Sequence, residues 1–278
     1  MRLFNKVAIV GVGLIGGSIG LAIKKRKLAG EVLGISRRSK TIKAGLKRGA
    51  IDRGFFDLSI ASEADLVVLA APVNSIINTG RKLSAVIKPG ALVVDTGSSK
   101  KEIVAALAKI LPGFVGAHPL AGSEKQGVIN AHADLFKGSL CILTPTDKTR
   151  KHALTKIRRF WVQLGASVIC LSPSRHDKLV SCISHLPHLV AFSLIHSIPR
   201  RNLFLAASGF RDTTRIALSD AGLWKDIFLT NSHNLLDALK KFKASLSRIQ
   251  SAIAKNDPKA LEKILNQARL KRASLNKK

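Results

Sequence analysis

His118 lies in the run Gly116-Ala117-His118-Pro119-Leu120-Ala121-Gly122-Ser123-Glu124-Lys125, directly after a short apolar stretch. An imidazole titrates near neutrality, so a histidine held there can accept a substrate hydroxyl proton. Pro119 is expected to stop the strand, leaving His118 just past its end. A single histidine is more often structural or solvated than catalytic. What gives this one weight is its place at the carboxyl end of a strand, where open parallel sheets meet their ligands. A second such run is Asp95-Thr96-Gly97-Ser98-Ser99-Lys100-Lys101-Glu102. Ser99 and Glu102 have the spacing of a capping box for the next helix, which leaves Ser98 free to turn its hydroxyl toward a ligand. Ser98 as the cap is the alternative.

A third cluster is Ser184-His185-Leu186-Pro187-His188. Proline inside a helix costs about 3 kcal/mol and kinks it, so Pro187 predicts a shaped cavity at this level. His185 and His188 fall on neighbouring helix faces. His176, nine residues earlier, would point to the opposite side of a straight helix and is set aside. Two histidines at i, i+3 with no carboxylate ligand do not make a metal site, and none is expected. Further on, Arg211 and Arg215 share a helix face, and either can grip a carboxylate with its two-pronged guanidinium. The alternative is a local Arg211–Asp212 or surface salt bridge. Trp224 follows, as a pocket wall or simply as core.

These residues need a cofactor site beside them, and the sequence offers one. Gly11-Val12-Gly13-Leu14-Ile15-Gly16 follows the first apolar run and opens a helical segment. Gly11 permits the turn, Gly13 lets a pyrophosphate approach the backbone, and Gly16 lets helix and strand pack closely. With Leu14 and Ile15 in the first helical turn, the helix N-terminus supplies N–H donors for phosphate, and Ser18 adds a polar group. The second strand ends in Ser36-Arg37-Arg38. No carboxylate stands there to hold a ribose 2′-hydroxyl, whereas Ser36, Arg37 and Arg38 suit a 2′-phosphate, so NADP is expected in preference to NAD.

The elements that must carry these groups alternate through the first part of the chain. Short apolar runs at 7–10, 32–35, 66–70, 92–95, 114–117, 141–144 and 167–171 are separated, in several cases, by helical stretches, the signature of a doubly wound parallel sheet. Beyond Pro173 the pattern turns helical, with helices expected at 174–198, roughly 204–219, 223–254 and 258–275. The reading is therefore an α/β Rossmann-type domain over 1–172 followed by an all-α domain over 173–278. The basic tail from Leu270 to Lys278 is expected to fray.

The chain has 278 residues, 46% of them hydrophobic, enough for a full core divided in two. Three cysteines without a CxxC pattern indicate neither a disulfide framework nor structural zinc, and fit a reducing, cytoplasmic setting. The uncharged stretch Val7 to Ile23 is too short and too glycine-rich to span a membrane, and no cleavage pattern follows it. No other apolar run suggests a membrane partner. Lys and Arg number 46 against 17 Asp and Glu, a net charge of +29. That field attracts polyanions, but the basic residues are scattered, tyrosine is absent and no nucleic-acid module is present, so nucleic acid is not the expected partner.

Taken together the motifs resemble the TyrA family of prephenate and arogenate dehydrogenases: GVGLIGGS at Gly11 to Ser18, DTGSSK at Asp95 to Lys100, HPLAGSEKQG at His118 to Gly127, SHLPH at Ser184 to His188, and SGFRDTTRIA at Ser208 to Ala217. The last three are far more specific than the glycine fingerprint. The resemblance spans nearly the whole chain and implies a stand-alone dehydrogenase core, with no chorismate mutase or ACT-like domain attached. It implies oxidative decarboxylation of a cyclohexadienol in tyrosine biosynthesis: prephenate to 4-hydroxyphenylpyruvate, with arogenate to tyrosine as a second use. By resemblance His118 is the base and Ser98 binds the ring hydroxyl. Arg215 holds the ring carboxylate, and His188, His185, Ser123, Glu124 and Trp224 line the substrate's side-chain end. A homodimer through the helical domain is also implied. The rival within enzymes is a β-hydroxyacid type of Rossmann dehydrogenase.

Overall fold

Val7, Ala8 and Ile9, Leu66 to Leu69 and Leu92 to Val94 are buried almost completely. Runs this short and apolar on both faces are stable as strands covered by helices on each side. The computed structural model describes residues 2–276, so Lys277 and Lys278 of the expected frayed tail lie outside the described residues. Eight strands form one sheet in the order β3-β2-β1-β4-β5-β6-β7-β8. They are β1 (Phe4–Val10), β2 (Ala29–Ile35), β3 (Arg53–Phe55), β4 (Leu66–Leu69), β5 (Leu92–Asp95), β6 (Phe114–Pro119), β7 (Leu140–Thr144) and β8 (Ser167–Cys170).

The first six strands are parallel. β7 runs antiparallel to β6, and β8 parallel to β7. The mostly parallel, doubly wound sheet read from the sequence is therefore present, with its last two strands reversed. Between β6 and β7 the chain forms only the 3-10 turn Val128–Asn130, and without a crossover helix it returns antiparallel. β3 escaped the sequence reading because Arg53-Gly54-Phe55 has no apolar run. It is a strand by virtue of its pairing to β2.

Side chains alternate across the sheet and meet a different helix layer on each face. Val7, Ile9 and Val32 pack with Ile19 and Ile23 of α1 (Leu14–Lys25), Ile42 of α2 (Ser39–Lys47), and Ile157, Phe160 and Trp161 of α5 (Lys151–Gln163). Ala8, Leu33, Val67 and Val93 pack with Val73, Ile76 and Leu83 of α3 (Val73–Leu83) and Ile103, Val104 and Leu107 of α4 (Lys101–Leu107). Each fully buried aliphatic or aromatic side chain contributes roughly 1.5–3 kcal/mol, so the two layers hold the strand ends rigidly. Gly11 adopts φ +97°, and a Cβ there would lie 2.2 Å from the Ala70 carbonyl oxygen. A Cβ on Gly16 would lie 2.0 Å from the Gly11 carbonyl oxygen. Only glycines let β1, α1 and β4 meet this closely.

The last strand ends at Cys170 and the remaining helices begin at Pro173. They are α6 (Pro173–Val180), α7 (Leu186–Ser197), α8 (Ser208–Thr214), α9 (Ala221–Thr230), α10 (Ser232–Ala254) and α11 (Pro258–Ala273). The long helix expected over 174–198 is interrupted by a π turn, Ser181–His185, and Pro187 stands in the first turn of α7. By length and composition this Pro173–Ser197 run is apolar enough to cross a membrane, a run the sequence reading passed over. The stretch expected over 204–219 is broken into α8 with 3-10 turns at Arg200–Leu205 and Arg215–Leu218. By packing, the chain divides after Asn231: α6 to α9 belong to one compact unit with the sheet, and α10 and α11 pack on each other in the second. Helix α11 continues to Ala273, into the tail expected to fray.

Candidate active site

The glycine turn after β1 presents an open helix start. Gly13, which has no side chain to cap with, is the N-cap of α1. A Cβ at Gly13 would meet nothing within 4 Å. The free N–H groups and the positive end of the helix dipole suit a pyrophosphate lying over Gly11, Gly13, Leu14, Ile15 and Gly16. Ser18 is not part of this surface: it is fully buried and its hydroxyl accepts a hydrogen bond from the His132 N–H (3.1 Å). At the end of β2 the Ser36 hydroxyl accepts from the Arg38 N–H (3.3 Å), and both Arg37 and Arg38 are exposed.

His118 lies inside β6 rather than beyond it. It pairs with Ile142 of β7, and Pro119 pairs with Cys141. The ladder continues past the proline through the Leu120 N–H, which donates to the Leu140 carbonyl (2.7 Å). β6 ends at Pro119 as expected, but His118 was placed past the strand end because the antiparallel partner that holds it in the ladder was not foreseen. The His118 side chain is 7% exposed. Burial, and then the neighbouring His176 and Lys100, hold its pKa well below the usual 6.5, so the ring is neutral at pH 7.

Beneath it lies a buried ion pair. The Lys100 ammonium donates to Asp95, and both side chains are fully buried. Asp95 also accepts from the Gly97 N–H (2.8 Å) and the Ala117 N–H (3.1 Å), tying the turn after β5 to the residue before His118. Burial pushes the Lys100 pKa down, and Asp95 opposes that shift. The expected Ser99–Glu102 capping box does not form. The Ser99 hydroxyl pairs with the Thr230 hydroxyl (2.9 Å), and the first N–H groups at the start of α4, those of Lys100 and Lys101, donate instead to the Asp177 carboxylate (2.7 and 2.9 Å). A carboxylate at a helix N-terminus is a stronger acceptor than a hydroxyl. Ser98 is half-buried, with its backbone facing His185.

His176, set aside on the geometry of a straight helix, is in fact against His118. The His118 Nδ1 and His176 Nε2 atoms are 2.8 Å apart, and the other His176 nitrogen meets Asp177 Oδ1 at 2.7 Å. The π turn between His176 and His185 winds through fewer degrees per residue than an α-helix, so the rule of opposite faces fails here. His185 is also buried, its Nδ1 accepts from the Asn231 side-chain amide (3.2 Å), and burial pushes its pKa down to about 4. Its Nε2 faces the Ser98 backbone, without a well-formed hydrogen bond among the described residues.

The residues expected at the substrate's far end gather around Trp224. The His188 ring stacks on its indole with centroids 3.5 Å apart, and His185 meets it edge-on at 6.1 Å. The Arg215 guanidinium pairs with Glu124 (2.9 Å) and is near enough to His188 to help lower its pKa, although burial is the larger cause. Arg211 instead donates to the Ala206 carbonyl (2.9 Å). Since His188 Nδ1 donates to the Ser184 carbonyl (2.9 Å), the neutral ring offers Nε2 as an acceptor. For His188 to donate to a substrate oxygen it must take a second proton. Ser123 is exposed, and its hydroxyl accepts from the Lys125 N–H (3.1 Å). The loop carrying Ser123 and Glu124 has a second tie, from Gln126 to Asp220 (3.1 Å), the residue that caps α9. Gln126, Asp220, Asn231 and the His176-Asp177 dipeptide were not legible as site residues. Asp95 and Lys100 stand in a noted motif, where two charges beside a buried strand end were the available signal.

The description "Prephenate dehydrogenase, nucleotide-binding domain" matches residues 19–170, and "Prephenate dehydrogenase, dimerization domain" matches residues 172–267. A prephenate dehydrogenase of Bacillus subtilis (strain 168) is 37% identical over 92% of this chain and 72% of its own. A cyclohexadienyl dehydrogenase of Zymomonas mobilis is 33% identical over 92% of this chain and 91% of its own. The crystal structure of prephenate dehydrogenase from A. aeolicus in complex with hydroxyphenyl propionate and NAD+ superposes with a TM-score of 0.92 at 36% identity, covering 98% of both chains. An uncapped glycine turn, a neutral buried histidine at a strand end and an arginine beside an aromatic wall thus occur in a chain matched along most of its length, and this chain belongs to the prephenate dehydrogenase family.

Proposed function

We propose that the chain oxidatively decarboxylates prephenate to 4-hydroxyphenylpyruvate, uses NADP in preference to NAD, and accepts arogenate as a second substrate. The observation that carries this reading is the neutral, buried His118 at the end of β6, in the same unit as the Arg215–Glu124–His188–Trp224 cluster. His118 takes the proton of the ring hydroxyl, with Ser98 donating to or accepting from that oxygen. A bound nicotinamide supplies the acceptor for the hydride that leaves the same carbon. Arg215 holds the ring carboxylate until its carbon–carbon bond breaks, the electron pair passes through the ring to the oxygen, and His118 returns its proton there. Aromatisation drives the step, so the side chains chiefly orient and deprotonate. His185, His188, Ser123, Glu124 and Trp224 line the opposite end of the substrate.

The division near residue 172 into a cofactor-binding part and a helical part is kept as part of this proposal, as are a cytoplasmic setting and a homodimer through the helical region. The large apolar side chains left exposed there, among them Ile183, Phe204, Leu218 and Leu229, support self-association.

The NADP preference rests on Ser36, Arg37 and Arg38 of this chain. Ser36→Asp is expected to reverse it, because a carboxylate accepts from ribose hydroxyls and repels a 2′-phosphate. Steady-state kinetics with both cofactors check this, and a wild type using NAD at least as well as NADP would refute it. Substrate choice turns on a keto group against an ammonium. His188 favours the keto acid only where the substrate's own carboxylate draws a second proton onto Nε2, against the lowering of its pKa by burial and Arg215, whereas Glu124 attracts the ammonium when released from Arg215. Wild type is expected to show the higher kcat/KM with prephenate, and His188→Ala to narrow the gap. A clear arogenate preference, undiminished in His188→Ala, would show the substrate order to be wrong.

A further inference from the structure

We propose that His176 and Asp177 are positioning residues that fix the tautomer of His118, so that its Nε2 lone pair faces the substrate. The inference deepens the proposed function and rests on His118 being the base. It follows from a chain of hydrogen bonds with one consistent direction. The Asp177 carboxylate accepts from the N–H groups of Lys100 and Lys101 (2.7 and 2.9 Å), and burial, which works against its charge, is outweighed by these bonds and that from His176, so it stays ionised. An ionised carboxylate only accepts, hence His176 Nδ1, 2.7 Å away, carries a proton. Burial keeps the His176 pKa below the usual range against the pull of Asp177, so the ring is neutral and its Nε2 accepts. His118 Nδ1, 2.8 Å from that atom, must then be the donor. In a neutral His118 this leaves the proton off Nε2.

Each link is anchored by the fold. His176 and Asp177 are buried in α6, whose first turn is capped by the Ser172 hydroxyl (3.3 Å to the Arg175 N–H). The Asn231 amide donates to the Asp177 carbonyl (2.8 Å) and to His185, so α6 is pinned from a second side. When His118 takes the hydroxyl proton on Nε2, the imidazolium keeps its Nδ1–H on His176, and Asp177 stabilises the charge through the intervening ring. No proton moves to Asp177. The arrangement does for His118 what a buried aspartate does for the histidine of a hydrolytic triad, with one imidazole inserted between them.

The test uses three proteins. In wild type, nitrogen-resolved NMR of His118 is expected to show a protonated Nδ1 and an unprotonated Nε2. His176→Phe, which fills the space without an acceptor, is expected to lower kcat about 10²-fold while KM and the NADP dissociation constant stay within about threefold. His176→Gln places an amide oxygen near the lost Nε2 and is expected to recover at least about tenfold of that loss. A protonated Nε2 in wild-type His118, a His176→Phe kcat within about threefold of wild type, or a folded His176→Gln no better than His176→Phe would each overturn the proposal. If His176→Phe does not fold, the glutamine variant and the wild-type spectrum decide. Failure of the prephenate reading is separately visible, because wild type would then be inert to prephenate while the spectrum still reports the tautomer.

Discussion

Replacing His118 with Asn is expected to reduce kcat by about 10²- to 10⁴-fold while leaving NADP affinity nearly unchanged. The asparagine is close in size and keeps a polar group at the strand end, but it cannot take a proton near neutral pH. The glycine turn at Gly11 to Gly16 runs from the end of β1 into the first turn of α1, separate from β6, so the cofactor surface is undisturbed. The wild-type pH profile carries the same information. Burial lowers the His118 pKa below 6.5, so the base is neutral and active above that lowered value. Turnover with prephenate is expected to fall only as the pH drops through it, below 6.5, and the His118→Asn variant is expected to lose that limb. Near-normal turnover in the variant would remove His118 from the role.

Arg215→Ala is expected to cost about 10²-fold in kcat/KM, chiefly through a higher KM: Arg215 is exposed in the free chain, and truncating one partner of a charge pair that bound substrate buries costs about 2–5 kcal/mol. Arg215→Lys should recover little, because a point charge does not reproduce the guanidinium fork. The structure separates Arg215 from the other candidate on the same segment. Arg211 is committed to the Ala206 carbonyl, whereas Arg215 reaches across to Glu124 on the loop after β6. A substrate carboxylate must compete with Glu124 for that fork. An unchanged KM in the alanine variant, with saturation curves on prephenate, would point to Arg211 or to neither.

The parts of the fold that were legible are those where local pattern and tertiary outcome agree. The apolar run before Gly11 and the glycine spacing specify a strand, a turn and a helix with no help from distant residues. The reversed β7 was not legible, because strand direction is set by the missing crossover helix between β6 and β7, and Leu140 to Thr144 has the same apolar pattern in either direction. The candidate site divides in the same way. His118 and Arg215 stand in sequence motifs and Trp224 follows the last of them, so all three were open to notice from the sequence, although the ladder that holds His118 inside β6 was not. His176 was lost to the assumption of uniform helix geometry, and the π turn at Ser181–His185 is what overturns it. Asp177 was invisible because it works through space, capping α4 from α6 in place of the Ser99–Glu102 pair that the local sequence favours.

The central claim is that this site couples deprotonation at His118 to hydride loss and decarboxylation of prephenate. Its most direct test is to add prephenate to the purified chain with NADP and follow reduced cofactor, carbon dioxide and 4-hydroxyphenylpyruvate together. The account predicts the three forming in equal amounts, at a rate that His118→Asn lowers by about two orders of magnitude or more. Absence of prephenate-dependent reduction of either NADP or NAD, or reduction without release of carbon dioxide, would contradict it.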